Sequence, residues 1–437
     1  MRRTEQGSLW YKYSGNSRIR FTDRGQFTNH RGRIKIINYS IAPRWIPMTT
    51  PKSEDKTMSQ IVRRNGPAWL NGLPSHNSRK YATSPLLSRL EETLIGQRLF
   101  LSYDYLSPQP SHLLRVSLAD FLPFSQSNPF AKDVKKLALP SILEPGHMPR
   151  GHHLVYFPPQ LPSSQLVPDG CDVLHSPGAP FNRRMWAGGS VRFRDLNGGP
   201  LLNCQRAVCV EGVRDVRVTG KEGEEKVFVG IERRVAILGE KEKEEDITSR
   251  IWTENEEDWG DSTVIEKRNL VFMRDKIPEQ LRAEKTDGNQ QKKILRAPAN
   301  PTFRHTLTPS RALLFRFSAL TFNAHSIHLD RDYARNTEGY EDLLVHGPLT
   351  LTLMLTLLQD HLSESRQAIS AIEYRNLAPI LVEQPLTVCA KPKEPACRSL
   401  WDVWIERNDG GLAVKGTIQT KPFGKHDENP AATISRL

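Results

Sequence analysis

Fourteen residues, Leu349 to Leu362, read LTLTLMLTLLQDHL and constrain the fold more than any other part of the chain. The leucines at 349, 351, 353, 355 and 357 alternate with period two, which suits a half-buried strand. The length of the run, Pro348 at a first helical position and the polar end Gln359-Asp360-His361 instead favour a helix. Such a helix is apolar on nearly every face, so it must be enclosed by a sheet. We read it as a buried helix.

The neighbouring segments supply the sheet. After the run come strand candidates Ala368 to Asn376, Pro385 to Lys393, Leu400 to Arg407 and Gly411 to Thr420. Before it, Ala312 to Leu320 is also strand-like. Together they form an α+β unit from about residue 301 to 424. An earlier unit, 84–274, alternates Pro- and Gly-rich turns with extended runs at Leu99 to Tyr103, Ser190 to Arg194, Ala207 to Thr219, Lys226 to Leu238 and Ser262 to Met273. Within it the charge-dense insert between Leu238 and Gly260 reads as a solvated loop or short helix. Residues 275–300, with KTDGNQQKK at their centre, read as a polar linker, and 425–437 as a tail.

Charge is distributed unevenly. Of 61 basic and 49 acidic residues, residues 1–81 hold 16 and four, leaving 45 of each in the rest. The whole net charge of +12 therefore lies in one N-terminal segment, and the remainder gives no sign of a nucleic-acid-binding surface. An acid-poor segment rich in Arg and Ser reads as a mitochondrial targeting peptide, with Arg79-Lys80-Tyr81-Ala82 predicting cleavage after Tyr81. Met48 and Met58 are alternative starts, and N-terminal sequencing of the mature chain decides among them. The five cysteines form no C-x-x-C pair, so a reduced compartment is expected. No stretch approaches the ~20 apolar residues of a membrane span.

Reactive-looking groups gather just ahead of the apolar run. Asn323, His325 and His328 are followed by His346-Gly347-Pro348 at the expected helix start. Imidazoles are poised near neutral pH to move protons, and free N–H groups of a first helical turn stabilise developing negative charge. This pairing predicts chemistry beside a carbonyl. A histidine metal site from His325, His328 and His346 is the rival, but no carboxylate or cysteine spacing completes it, so neither metal nor cofactor is expected.

The motifs ALTFNAHSIHLDRDYA (319–334), EGY (338–340) and LVHGPL (344–349), with GHHLVYFPP (151–159) and LHSPGAPFNRRMWAGGSVRF (174–193), occur in this order. Together they resemble the MaoC-like hotdog family, in its mitochondrial hydroxyacyl-thioester dehydratase type 2 branch. The resemblance implies a double hotdog, two units each with a long buried helix wrapped by an antiparallel sheet. Its hydratase motif, D-x-N-P-[LIV]-H, places His328 at the family's catalytic His, Asn323 at its Asp and His325 at its Asn. An amide orients water but does not exchange a proton as a carboxylate does. Which group handles the hydroxyl proton stays open.

The resemblance implies reversible dehydration of 3-hydroxyacyl thioesters of acyl carrier protein or CoA, in mitochondrial fatty-acid synthesis in the matrix. On that reading His328 is the base, the Gly347 N–H holds the thioester oxygen, Asn323 holds the water, and His325 is a proton donor. His346 shapes the helix start. Arg183 and Arg184, beside Trp186 and Gly188-Gly189, either contact a phosphate of the thiol carrier or form salt bridges within a unit without its own active site. The 84–274 unit is expected to be the silent half, since His152 and His153 lack the partner pattern. Alternatives are hydration of a short dicarboxylic C4-acyl-CoA such as mesaconyl-CoA, and a non-catalytic binding subunit. A monomer or homodimer of double hotdogs is expected, with no nucleic-acid or membrane partner.

Overall fold

The structure, a computed structural model, describes residues 85–123, 138–196, 199–286, 294–394 and 397–422. The expected targeting segment, its cleavage site, the tail and the centre of the 275–300 linker lie outside these residues. Among the described residues no helix is long and apolar enough to cross a membrane.

In chain order, α1 (Pro85–Leu94), β1 (Phe100–Tyr105) and α2 (Pro108–Leu118) precede the strands β2 (Arg183–Phe193), β3 (Arg206–Thr219) and β4 (Lys226–Ile237). Next come α3 (Glu244–Ile251), β5 (Val264–Met273) and α4 (Pro278–Thr286). The second half runs β6 (Phe303–Leu307), α5 (Arg311–Thr321), α6 (Ser326–Leu329), α7 (Arg331–Asn336) and α8 (Gly347–Ser363). It ends with β7 (Gln367–Asn376), β8 (Leu386–Glu394), β9 (Cys397–Arg407) and β10 (Leu412–Pro422). All the strands share one antiparallel sheet in the order β1-β3-β4-β5-β2-β7-β10-β9-β8-β6. Counted inward from either edge, each half uses its own strands in the order first, third, fourth, fifth, second. This repeated topology is the double hotdog, within an α+β fold.

The halves join where β2 pairs with β7, from Gly188 opposite Arg375 to Arg192 opposite Ala371. Here the pairing of β2 with β5 shifts register between Trp186 and Gly188, and Gly188 has φ 134°. A Cβ there would lie 2.3 Å from the Tyr374 carbonyl oxygen, so only glycine lets the two backbones meet.

The helical reading of the leucine run holds. In α8 every residue from Leu349 to Leu355 is buried, as are Leu357, Leu358 and Leu362. Thr350 and Thr352 tolerate burial because their hydroxyls donate to the Gly347 and Pro348 carbonyls within the helix. The enclosing core draws on both halves, including Val191, Phe193 and Val264 from one and Ile369, Ile405 and Ile418 from the other. Burying each leucine contributes about 1.5–3 kcal/mol.

Two expectations need correction. Ala312 to Leu320 is not a strand but most of α5. The Ser310 hydroxyl accepts from the Leu313 N–H at 3.1 Å, and Leu313, Leu314, Phe317 and Ser318 are buried with helical spacing. The long enclosed helix expected in each half is seen among the described residues only in the C-terminal one. Among the described residues between β1 and β2, the longest helix is the 11-residue α2, which follows β1 as α5 follows β6. Nothing described there takes the place of α8. The short edge strand β6 escaped the sequence reading, and helix α4 occupies part of the expected linker.

Candidate active site

The site grows from the way α5 ends. Phe322 adopts a left-handed conformation, φ 53°, and the Asn323 N–H donates to the Ser318 carbonyl at 2.9 Å, so the chain turns sharply. The Asn323 side-chain oxygen then accepts the His325 N–H at 3.0 Å, starting α6. Its amide nitrogen, a donor only, remains for other partners.

Three imidazoles converge behind this turn. His328 and His346 stack with centroids 3.7 Å apart, and His325 meets His328 edge-on at 5.6 Å. His328 Nδ1 lies 2.8 Å from the Leu344 carbonyl, which can only accept, so Nδ1 carries the proton and Nε2 keeps its lone pair. His346 Nε2 bonds the Ser318 hydroxyl at 2.8 Å. Burial depresses all three pKa values. His328 is lowered to about 4, chiefly by desolvation and further by Arg184, against the opposing effect of the Leu344 bond. Desolvation, then the neighbouring imidazoles, hold His325 and His346 well below the usual histidine range, with Arg184 adding to the effect on His325. Burial thus favours the neutral form of each ring in the free site.

Gly347 begins α8, and its N–H belongs to the first turn, whose donors have no intrahelical acceptor. The small residue is a packing necessity. A Cβ would meet Asn376 Nδ2 at 2.9 Å and Trp186 Cβ and Cγ at 3.1 Å. Asn376 donates to the Trp186 carbonyl at 2.9 Å, and Trp186 Nε1 donates to the Tyr374 hydroxyl at 2.7 Å, so the indole is fixed against the helix start.

Asn323, His325, His328, Gly347, Arg184 and Trp186 all line one cavity of about 790 Å³. Its remaining walls are largely apolar, with Leu154, Phe157, Ile231 and Leu270 from the N-terminal half and Ile327 and Val345 from the other. His346 and Arg183 are not in the wall. Arg183 makes a bidentate bond to Glu338, at 2.6 and 3.0 Å among its contacts, and Arg184 pairs with Asp172 at 2.7 Å. The Arg184 bridge lies within the N-terminal unit, whereas that of Arg183 crosses to the C-terminal half.

Other polar groups escaped the sequence reading because only the folded chain brings them here. On the N-terminal sheet, Arg268 forms a bidentate pair with Glu266 at 2.7 and 2.9 Å and lies 4.9 Å from the Trp186 ring centroid. Arg233 pairs with Glu211 at 2.5 Å and Glu266 at 3.3 Å. Burial would raise the Glu266 pKa, yet Arg268, His153 and Arg233 hold it at about 2. These arginines face the cavity but are matched by carboxylates. Asp169 lies beside His325, with Oδ2 3.4 Å from Nε2. The sequence Pro168-Asp169-Gly170 signals a turn, but nothing local connects it with a histidine so far along the chain.

Asp169, Cys171 and His325 place a carboxylate, a thiol and an imidazole within 4.8 Å, the one such group among the described residues. The donors fit a cation poorly. Burial pushes the Cys171 thiol far above its usual pKa, keeping it protonated, and Asp169 Oδ1 already accepts the Cys171 N–H at 2.8 Å.

Comparison with known proteins agrees with this geometry. The profile of the family described as hydroxyacyl-thioester dehydratase type 2 matches residues 151–382. The mitochondrial hydroxyacyl-thioester dehydratase type 2 of Schizosaccharomyces pombe is 28% identical over 328 residues, 72% of this chain and 97% of that protein. The mesaconyl-C(4)-CoA hydratase of Chloroflexus aurantiacus is 31% identical over 269 residues, 61% of this chain and 81% of that protein. Among solved structures, a MaoC-like dehydratase from Phytophthora capsici has a TM-score of 0.46 at 11% identity, covering 76% of this chain and 97% of the other.

Proposed function

The chain belongs to the hydroxyacyl-thioester dehydratase type 2 family, and within it we propose that it interconverts 3-hydroxyacyl and trans-2-enoyl thioesters in mitochondrial fatty-acid synthesis. It is a hydro-lyase acting on acyl thioesters. The name of the fission-yeast relative supports a mitochondrial location, and the basic N-terminal segment supports the matrix. The thioester is carried by acyl carrier protein or CoA.

One observation carries the mechanism: His328 is neutral and donates through Nδ1 to Leu344, leaving Nε2 as a base in the cavity wall that Gly347 shares. In dehydration, Nε2 of His328 takes the α-proton. The electron pair moves onto the thioester oxygen, where the Gly347 N–H and the positive end of α8 stabilise it. As the enolate collapses, the C3–O bond breaks. The Asn323 amide holds the departing oxygen, and His325, in the one-proton form of the His325–His328 pair, delivers the proton that makes it water, so the pair begins with its proton on His325 and ends with it on His328. Hydration runs through the same states in reverse, with neutral His325 accepting a proton from the attacking water. The apolar walls and the volume of about 790 Å³ leave room for an acyl chain.

A second reading, hydration of a short dicarboxylic C4-acyl-CoA, draws support from Arg233 and Arg268 in the wall. Their pairing with Glu211 and Glu266 leaves little net charge for a substrate carboxylate, so the first reading leads. The test is hydration of crotonyl-CoA, 2-enoyl carrier-protein esters and mesaconyl-CoA side by side. Turnover of the monocarboxylic esters is expected. Turnover of mesaconyl-CoA alone would establish the second reading, and no turnover of any ester would defeat both.

A further inference from the structure

The family motif has a carboxylate where this chain has Asn323, yet a carboxylate reaches the same cluster from the other half. Asp169 is 7% exposed, and its Oδ2 lies 3.4 Å from His325 Nε2. Three contacts fix its position. Asp169 Oδ1 accepts the Cys171 N–H at 2.8 Å, and its carbonyl accepts the Ser326 N–H at 2.7 Å. Gly170 packs so tightly against the histidine loop that a Cβ would sit 2.1 Å from the Ala324 carbonyl oxygen. The turn at 169–171 is thus locked to residues 324–326, with Asp169 Oδ2 towards the imidazole.

We infer that Asp169 is the positioning residue for His325, completing across the two halves a carboxylate–imidazole pair that the sequence motif alone lacks. A carboxylate accepts and does not donate, so it holds the proton on His325 Nε2 and leaves the Nδ1 lone pair for the substrate's water or hydroxyl. In hydration, Nδ1 takes a proton from water as the C3–O bond forms, and the positive charge on the ring faces Asp169. As His325 takes that proton, His328 Nε2 gives one to Cα; in dehydration both transfers reverse, the α-proton going to His328 and the His325 proton to the leaving hydroxyl, so protons balance in both directions. The 3.4 Å separation is that of an open site, and catalytic hydrogen bonds tighten once substrate excludes water.

This role rests on the hydro-lyase reading, and Asp169→Asn tests it within the full chain. The amide keeps an oxygen for the Cys171 N–H and removes only the charge and the acceptor facing His325. With crotonyl-CoA we expect kcat to fall about 100-fold with KM within about twofold, as for loss of support to one acid–base group. The double variant Asp169→Asn/His325→Ala should be no slower than His325→Ala alone, since both remove one function. The ¹⁵N shifts of His325 should report a change in tautomer balance in Asp169→Asn, a readout that activity does not influence. A wild-type kcat in Asp169→Asn, additive losses in the double variant, or unchanged ¹⁵N shifts would each overturn the role of Asp169. An inactive wild-type chain would defeat the hydro-lyase reading itself.

Discussion

The two halves share one strand order but are filled differently. In the C-terminal half α8 packs against the sheet and its start presents Gly347 to the cavity, while α6 presents His328. In the N-terminal half no described helix does so, and the cavity extends over Ile231, Leu270 and the Arg233–Glu211 and Arg268–Glu266 pairs. One half is built around a helix that completes the proposed catalytic groups. The other keeps space and lends a wall, a tryptophan and a carboxylate. A repeated topology therefore need not mean a repeated site. His153 illustrates the difference: it is fully buried in the N-terminal half and pressed edge-on against Phe193 at 6.0 Å, 3.7 Å from Glu266.

The sharpest way to break this contrast is at the start of α8. Gly347→Val must displace Trp186 or Asn376, which approach a Cβ within 2.9–3.1 Å, and with them the proposed oxyanion donor. Steady-state kinetics should show kcat lowered by at least about 100-fold, the usual effect of losing one such donor. Stability separates the halves next. Leu353→Ala, at the centre of the enclosed helix, should fall towards the upper end of about 2–5 kcal/mol in urea unfolding, and Leu270→Ala, in the cavity wall, towards its lower end. Equal costs would mean that the N-terminal half is packed as tightly as the C-terminal one.

Acid sensitivity is the subtler difference. Desolvation lowers His328 and His153 to about 4 and His152 to about 3, from 6.5. The unfolded chain therefore binds more protons than the folded one between those values. Stability from these groups is present above pH 6.5 and is lost as pH falls towards 4, so the urea midpoint should drop across that window. His328→Gln removes one contribution from the C-terminal half and should flatten the drop in part; a profile indifferent to both sets of histidines would contradict their burial as neutral groups.

Much of this was legible in the sequence, for local reasons. The helix Leu349–Leu362 betrayed itself by Pro348 and its polar end, and most strands by β-branched runs. The motif from Asn323 to His328 and the His-Gly-Pro start identified the family and brought four groups to one cavity. What escaped depends on distance along the chain. The segment 312–320 is apolar enough for either structure, and its helical state depends on the Ser310 cap and on a buried face. The partners of Arg183 and Arg184, Glu338 and Asp172, declare themselves only when loops meet. The pairing of Asp169 with His325 is likewise a tertiary fact.

The central claim is that one half of a symmetric fold is catalytic and the other is not. It is tested most directly by comparing His328→Ala with His153→Ala in the hydration of crotonyl-CoA. The account predicts a loss in kcat of about 1,000-fold for His328→Ala, within the range for removing a general base, and a change of no more than about twofold for His153→Ala. Comparable losses in both variants, or full activity in His328→Ala, would contradict it.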